Sequence, residues 1–436
     1  MRALLPLVLV PLLLSQERPR PIADAAADAN DEIHAVVILS RHGVRAPLSS
    51  EIRDSAYNAQ PWPAWPVASG VLTEHGSAAL RLMGAWYRAR YAGIFPDGAC
   101  GPRTIYAEAN TSQRTVASAK SFLEGLGPGC QPEVNVKPAG QMNPLFGPAA
   151  ASGQADPDKL SNAIQGRLGA RLDWWTNAFA EPLEEMRHVL LDCAGADCDK
   201  SKKSLLSAPP TVAPGRGLVA VDGPVAMGAD FAEHFLLQYT EGFPMEKVGW
   251  GRVSRPALNR LMEMNTRYHD FVLRTPYFAR IAASDLAFRI KATLQQTAES
   301  REIPGALGKP QNRFILLDGH DSNLTWLGGL LRMDWLLPDQ TFNATTPGSA
   351  IVFELHRNRS GGQYSVRAFF VSQTLDQIRS LKPLTGMEQP AVAPVFIPGC
   401  SGAAANYSCS LEAFGEAVDA AIDKRFLEPA LRLLDR

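Results

Sequence analysis

The sequence lacks an excess of charge of either sign: among 436 residues, 43 Lys and Arg face 44 Asp and Glu, a formal net charge of -1. A nucleic-acid binder ordinarily carries a basic surplus, so no nucleic-acid partner is expected. Low hydrophobicity with high net charge, the mark of disorder, is absent too, since 46% of residues are hydrophobic and 20% charged. No internal repeat and no compositional period sets the chain among collagens or coiled coils. Long apolar runs are scarce. Ala3 to Leu14, behind Arg2, is far short of the roughly 20 residues that a spanning helix needs, and no other stretch approaches that length. It has the form of a secretory n-region and h-region, with a short anchor or a buried N-terminal helix as the other reading. Residues 1–27 are therefore taken as a signal peptide with an Ala/Pro-rich leader, and the mature fold is expected to begin near Asp31. The expected location is periplasmic or secreted, without membrane association once the signal is removed.

Cysteine is sparse, with six residues. The number is even, and an exported chain meets an oxidising compartment that permits bridges. Six cysteines allow 15 pairings. Cys193 and Cys198 are close in sequence, as are Cys400 and Cys409, which leaves Cys100 and Cys130 to each other. Three local bridges are expected. Neither a C-x-x-C pair nor H-E-x-x-H is present to support zinc.

What is there falls into two patterns. Glu32 to Ser40, EIHAVVILS, is a β-branched, nearly continuous apolar run of the kind that forms a strand buried on both faces of a largely parallel sheet. Arg313 to Leu317, RFILL, reads the same way. Between them helical spacing dominates, over Gly76–Tyr91, Val116–Leu126, Val225–Tyr239 and Leu258–Leu273. Strands return at Ala350–Leu355 and Tyr364–Val371, separated by the turn-like NRSGG. The fold class predicted is α/β: a three-layer α/β/α domain with a mainly parallel sheet, built from residues 31–140 and 255–436. A mostly helical domain, residues 141–254, is inserted between them, with a cleft where the two meet.

Both buried strands end in a histidine. Arg41-His42-Gly43-Val44-Arg45-Ala46-Pro47 follows the first, and Gly319-His320-Asp321-Ser322-Asn323 follows the second. Ligands of open α/β sheets bind beyond the carboxyl ends of strands. Planar guanidinium groups match phosphate oxygens in bidentate fashion, and Gly43 lets backbone come close to an anion. The His-Asp pair alone is weak. Joined to the first turn, it would bring two histidines, two arginines and a carboxyl group to one sheet edge.

These residues resemble the histidine acid phosphatases, the R-H-G-x-R-x-P branch of the histidine phosphatase superfamily. The resemblance runs through Trp62-Pro63-Ala64-Trp65-Pro66, Gln113-Arg114-Thr115, Pro144-Leu145-Phe146, Glu241-Gly242-Phe243-Pro244-Met245, Gly249-Trp250-Gly251 and Gln373-Thr374-Leu375. It is similar to bacterial periplasmic phytase/acid phosphatases and glucose-1-phosphatases. The resemblance implies a phosphoglycerate mutase-like fold, a phosphohistidine intermediate, and neither metal nor cofactor. It also implies that the six cysteines match positions bridged locally in relatives. Carried over, it makes His42 the nucleophile, Arg41, Arg45, Arg114 and His320 the phosphate pocket, and Asp321 the proton donor. The expected partners are small phosphate monoesters, with phytate among them, and the expected state is a monomer. Phytase relatives usually carry Thr and Lys where this chain has Leu48 and Ser49. Leu48 and the Glu241–Met245 run look more like the glucose-1-phosphatases, whereas Gly43 is the phytase form. Glu233 is held as a substrate-side residue, His34 as a core histidine, and Trp62 to Pro66 reads equally as cleft lining or packing. Five N-x-S/T sequons, at Asn110, Asn323, Asn343, Asn358 and Asn406, read as incidental.

Overall fold

The computed structural model describes residues 30–49, 56–95, 100–130, 132–138, 140–147, 153–169, 171–193, 202–215, 218–403 and 406–433. The expected signal and leader, residues 1–27, lie outside them. Among the described residues ten strands occur: β1 Asp31–Arg41, β2 Ile105–Ala109, β3 Val134–Asn135, β4 Thr211–Gly215, β5 Leu218–Asp222, β6 Phe314–Gly319, β7 Ala350–Asn358, β8 Tyr364–Ser372, β9 Ala391–Val395 and β10 Cys409–Ser410. Eight form one sheet in the order β10-β8-β7-β1-β6-β2-β3, with β9 also on β8, while β4 and β5 make a separate hairpin. On one side of β1 every pairing is parallel, through β6 and β2 to β3. On the other, β7 and β8 alternate in direction. Since β8 thereby points the way β1 does, and β9 and β10 oppose it, five of the eight strands share one direction. The sheet is mixed and mostly parallel.

The alternation of β1 explains the layers. Ala35, Val37 and Leu39 join one core with Phe231, Phe235, Leu324 and Leu327. Val36 and Ile38 face the opposite side, with Met83, Tyr87 and Phe122. Helices thus cover both faces, which is why the strand reads as apolar without alternation. Helices Glu74–Arg90 and Gln113–Leu126 pack together on the second face. The first face takes Pro276–Glu299 and Asp321–Leu331.

The middle of the chain is helical, with Pro157–Leu168, Leu172–Ala178, Ala180–Leu191, Pro224–Thr240 and Arg255–Tyr268. The last of these stops earlier than expected, because His269–Leu273 winds as a π-turn, a feature frequent at functional sites. Helix Pro224–Thr240 is buried along almost its whole surface and shares the core of the sheet's first face. Among the described residues no helix is long and apolar enough to cross a membrane. Cys100 is bonded to Cys130 and Cys400 to Cys409, with Cα separations of 4.5 and 5.4 Å. Cys193 is disulfide-bonded as well; Cys198, its expected partner, lies outside the described residues.

Candidate active site

Arg41 of β1 stands opposite Gly319 of β6, so the two turns that follow leave the sheet side by side. Backbone hydrogen bonds pin the first turn. His42 N–H donates to Gly319 O at 3.0 Å, Arg41 N–H to Ser349 O at 2.9 Å, and Gly348 N–H to His42 O at 3.1 Å. Gly43 N–H donates to Ser118 Oγ at 3.0 Å. The start of helix Glu74–Arg90 presses on the same turn: Thr73 N–H donates to Val44 O at 3.0 Å, and a Cβ on Gly76 would overlap that carbonyl. Only glycine permits the approach.

The ring of His42 is oriented by its neighbour. Its Nδ1 lies 2.8 Å from Gly43 O, and a carbonyl only accepts, so Nδ1 carries the proton and Nε2 keeps its lone pair. His320 stands edge-on to it, with ring centroids 5.4 Å apart. Thr111 N–H donates to Asn110 Oδ1 at 2.8 Å, which turns the Asn110 amide so that Nδ2 donates to His320 Nε2, also at 2.8 Å. Arg114, on the first turn of its helix, places Nη2 3.5 Å from His320 Nδ1. Arg41 and Arg45 are both buried. Arg41 bonds the carbonyl of Thr345 and the carboxylate of Glu233, and its Nη2 lies 3.3 Å from Asp321 Oδ2. Asp321 opens helix Asp321–Leu331 and accepts from Ser322 N–H at 2.6 Å. His42, Arg41, Arg45, Arg114, His320 and Asp321 are therefore brought together.

Burial first, then Arg41, His320, Arg45 and Arg114, hold His42 well below the usual imidazole range. The ring is neutral, and so nucleophilic, in mild acid. His320 is pushed down to about 4 by burial and then Arg114, with Asp321 opposing. For Asp321, burial raises the carboxyl, but Arg41, His269, His42 and His320 together outweigh it and hold the group below the usual carboxylate range.

The family model described as "Histidine phosphatase superfamily (branch 2)" matches residues 32–196. Phytase AppA of Escherichia coli is 31% identical over 418 residues, 92% of this chain and 95% of that one. The chain belongs to branch 2 of the histidine phosphatase superfamily. It is a phosphoric monoester hydrolase. The glucose-1-phosphatase of Salmonella typhimurium is 30% identical over 403 residues, 89% of this chain and 92% of that one. The solved structure of Hafnia alvei phytase in complex with tartrate is 32% identical, covers 92% of this chain and 100% of its own, and superposes with a TM-score of 0.83.

Several residues of this histidine phosphatase's site carried no motif. Glu233 is 5% exposed, bonds Arg41 through one oxygen, and has no partner for Oε2 among the described residues. Its signal was one of only two carboxylates, with Asp230, in a mostly apolar helix. Asn110 stood out only as a sequon, and Asn323 as a sequon and the last residue of the second motif, with no role given to it. Asn323 is buried and bridges the second turn, accepting from His320 N–H at 2.8 Å and donating to Phe146 O at 3.1 Å. Trp62 stacks on His234 at 4.0 Å and lies 4.6 Å from Trp250, so the Trp62 ring is packed. His34 is a core residue whose Nδ1 lies 2.7 Å from Arg313 Nη1.

Proposed function

We propose that this phosphatase is an exported acid phosphatase that hydrolyses phosphate monoesters, phytate included, through a covalent phosphohistidine. His42 Nε2 attacks phosphorus, forming the N–P bond as the ester P–O bond breaks. Asp321 gives its proton to the departing alkoxide. Water, losing a proton to the Asp321 carboxylate, then attacks the phosphohistidine, and phosphate leaves as the N–P bond breaks. Arg41, Arg45, Arg114 and His320 face the equatorial oxygens, so positioning and electrostatic stabilisation supply most of the catalysis. The observation that carries this reading is the Nδ1 contact of His42 to Gly43 O, 2.8 Å, which aims an unprotonated Nε2 among three arginines.

The low affinity of Asp321 for a proton fits the donor role once substrate is considered. A phosphoryl dianion against Arg41 offsets the guanidinium field and adds negative charge beside the carboxyl, and both effects raise its pKa. Proton uptake should accompany binding. Residues 31–140 and 255–436 form the catalytic domain and 141–254 the cap, a division supported by Glu233 reaching from the latter to Arg41.

Phytate is favoured by the relatives, since a Hafnia alvei phytase, 31% identical, is solved with myo-inositol hexakis sulphate. Leu48 in place of a polar contact supports a second reading, a glucose-1-phosphatase-like sugar phosphatase. A kcat/KM panel on phytate, glucose 1-phosphate and p-nitrophenyl phosphate separates the two. Labelled substrate quenched in base should trap a phosphoenzyme that His42→Ala cannot form. Turnover with no labelled intermediate in the native protein refutes the mechanism.

A further inference from the structure

Glu241 ends helix Pro224–Thr240 and has no part in the mechanism above, yet it touches the phosphate-binding turn through one intermediary. Thr73 is fully buried. Its hydroxyl accepts from Gly76 N–H at 2.9 Å, capping helix Glu74–Arg90. The same Oγ1 lies 2.6 Å from Glu241 Oε2 and 3.2 Å from the carbonyl of Val44, in the turn between His42 and Arg45. A hydroxyl has one hydrogen, so it cannot donate to both.

We propose that Glu241 is a positioning residue for the phosphate-binding turn, its proton deciding whether the Thr73 hydroxyl bonds Glu241 or the Val44 carbonyl. An ionised Glu241 can only accept, and its charge-assisted bond captures the Thr73 hydrogen. A protonated Glu241 donates to Thr73 Oγ1 instead. The Thr73 hydrogen then turns to Val44 O, which already accepts from Thr73 N–H and has a second lone pair free. No atom is gained or lost beyond the one proton on Glu241. Protonation thus adds a second hydrogen bond from the helix N-terminus to the turn that carries His42 and Arg45.

The surroundings place this exchange near neutrality. Glu241 is half-buried, and burial pushes its carboxyl up to about 7 against the opposing effect of the Thr73 hydrogen bond. From the neighbouring helix, His75 packs against Gly242 and bonds Ile378 O at 2.9 Å. Burial holds His75 below its ordinary value, against the hydrogen bond to Ile378 O. Arg379, from helix Leu375–Ser380, spends its guanidinium on the carbonyls of Tyr239 and Phe243, at 2.7 and 2.6 Å. Tyr239 OH is bonded to Asp376. Among the described residues no ion pair reaches Glu241, so its charge is not held by a partner.

The inference rests on the proposed site, and its test separates the two. Tungstate is a tetrahedral dianion whose charge is constant from mildly acidic to mildly alkaline pH. Its dissociation constant is measured by calorimetry alongside kcat/KM for p-nitrophenyl phosphate. In the native protein, tungstate should bind about two- to tenfold more weakly above neutrality than below, the scale of one net hydrogen bond. Glu241→Gln, which cannot ionise, should lose the step near neutrality and keep only the fall on the acid side that proton uptake at Asp321 produces. Thr73→Ser should keep the step and Thr73→Val should lose it. A Glu241→Gln titration that superimposes on the native one overturns the proposal. Absence of any phosphomonoester turnover in native protein refutes the hydrolytic reading instead, while the tungstate measurement still decides the role of Glu241.

Discussion

Asp318, the residue before Gly319 on β6, is fully buried, and neither carboxyl oxygen has a hydrogen-bond partner among the described residues. Burial alone raises its pKa well above the ordinary value. The consequence for stability has a definite sign. The folded protein prefers the neutral acid, so Asp318 imposes no ionisation penalty below its unfolded pKa of about 3.9. Above that value the unfolded chain releases a proton that the folded one keeps. Each pH unit then subtracts about 1.4 kcal/mol from the unfolding free energy, until the folded pKa is passed and the loss becomes constant. Asp318→Asn cannot ionise. It leaves a buried amide whose cost, on the order of 1–3 kcal/mol, does not vary with pH. Urea denaturation of both proteins, disulfides intact, from about pH 3 to about pH 7 should show native stability falling relative to the variant, with a slope of about 1.4 kcal/mol per unit beginning near pH 4. A difference that stays constant across the range refutes the reasoning, because it would mean that Asp318 has a partner or reaches solvent.

Other outcomes follow from the same geometry. Asp321→Asn should cut kcat on alkyl phosphates by about 10²- to 10⁴-fold but spare p-nitrophenyl phosphate, whose leaving group needs little protonation; equal losses argue against a donor. Gly76→Ala, which drives a methyl into the Val44 carbonyl, should cost about 1–3 kcal/mol of stability and raise KM, read by denaturant melts and steady-state kinetics. Cys100→Ser opens a bond spanning 30 residues and should lower unfolding free energy by about 2–4 kcal/mol. Binding of phosphate or tungstate at mildly acidic pH should take up protons as Asp321 becomes neutral, seen as a buffer-dependent calorimetric enthalpy.

The legible parts were those where one local pattern sufficed. β1 and β6 are buried on both faces and read as apolar runs, and each is followed by its motif, so the position of His42 and His320 at adjacent strand ends could be argued from residues alone. β7 and β8 carried strong β-branched patterns. β2 escaped because five residues, IYAEA, hold too little pattern, and β9 and β10 are shorter or proline-interrupted segments stabilised by pairing with β8. Helix Pro276–Glu299, the longest, is buried on several sides and shows no clean apolar stripe. Glu233 was held as a substrate-side residue, but what it, Asn110 and Thr345 touch was beyond reach for a different reason. Their contacts to Arg41 and His320 are made across 192, 210 and 304 residues, and nothing in a local window encodes such a meeting.

The position of β1 between β6 and β7 has a consequence for biosynthesis. The strand that delivers His42 leaves the ribosome before both neighbours that define its register, Phe314–Gly319 and Ala350–Asn358, which begin about 280 and about 320 residues later. Translation at roughly 5–20 residues per second separates the halves of the site by tens of seconds. Until Ser349 and Gly319 arrive to fix the backbone of Arg41 and His42, a nascent or truncated chain has a histidine but no site. Such non-local pairing slows folding, and it ties the first appearance of hydrolytic power to the synthesis of Phe314–Gly319 and Ala350–Asn358.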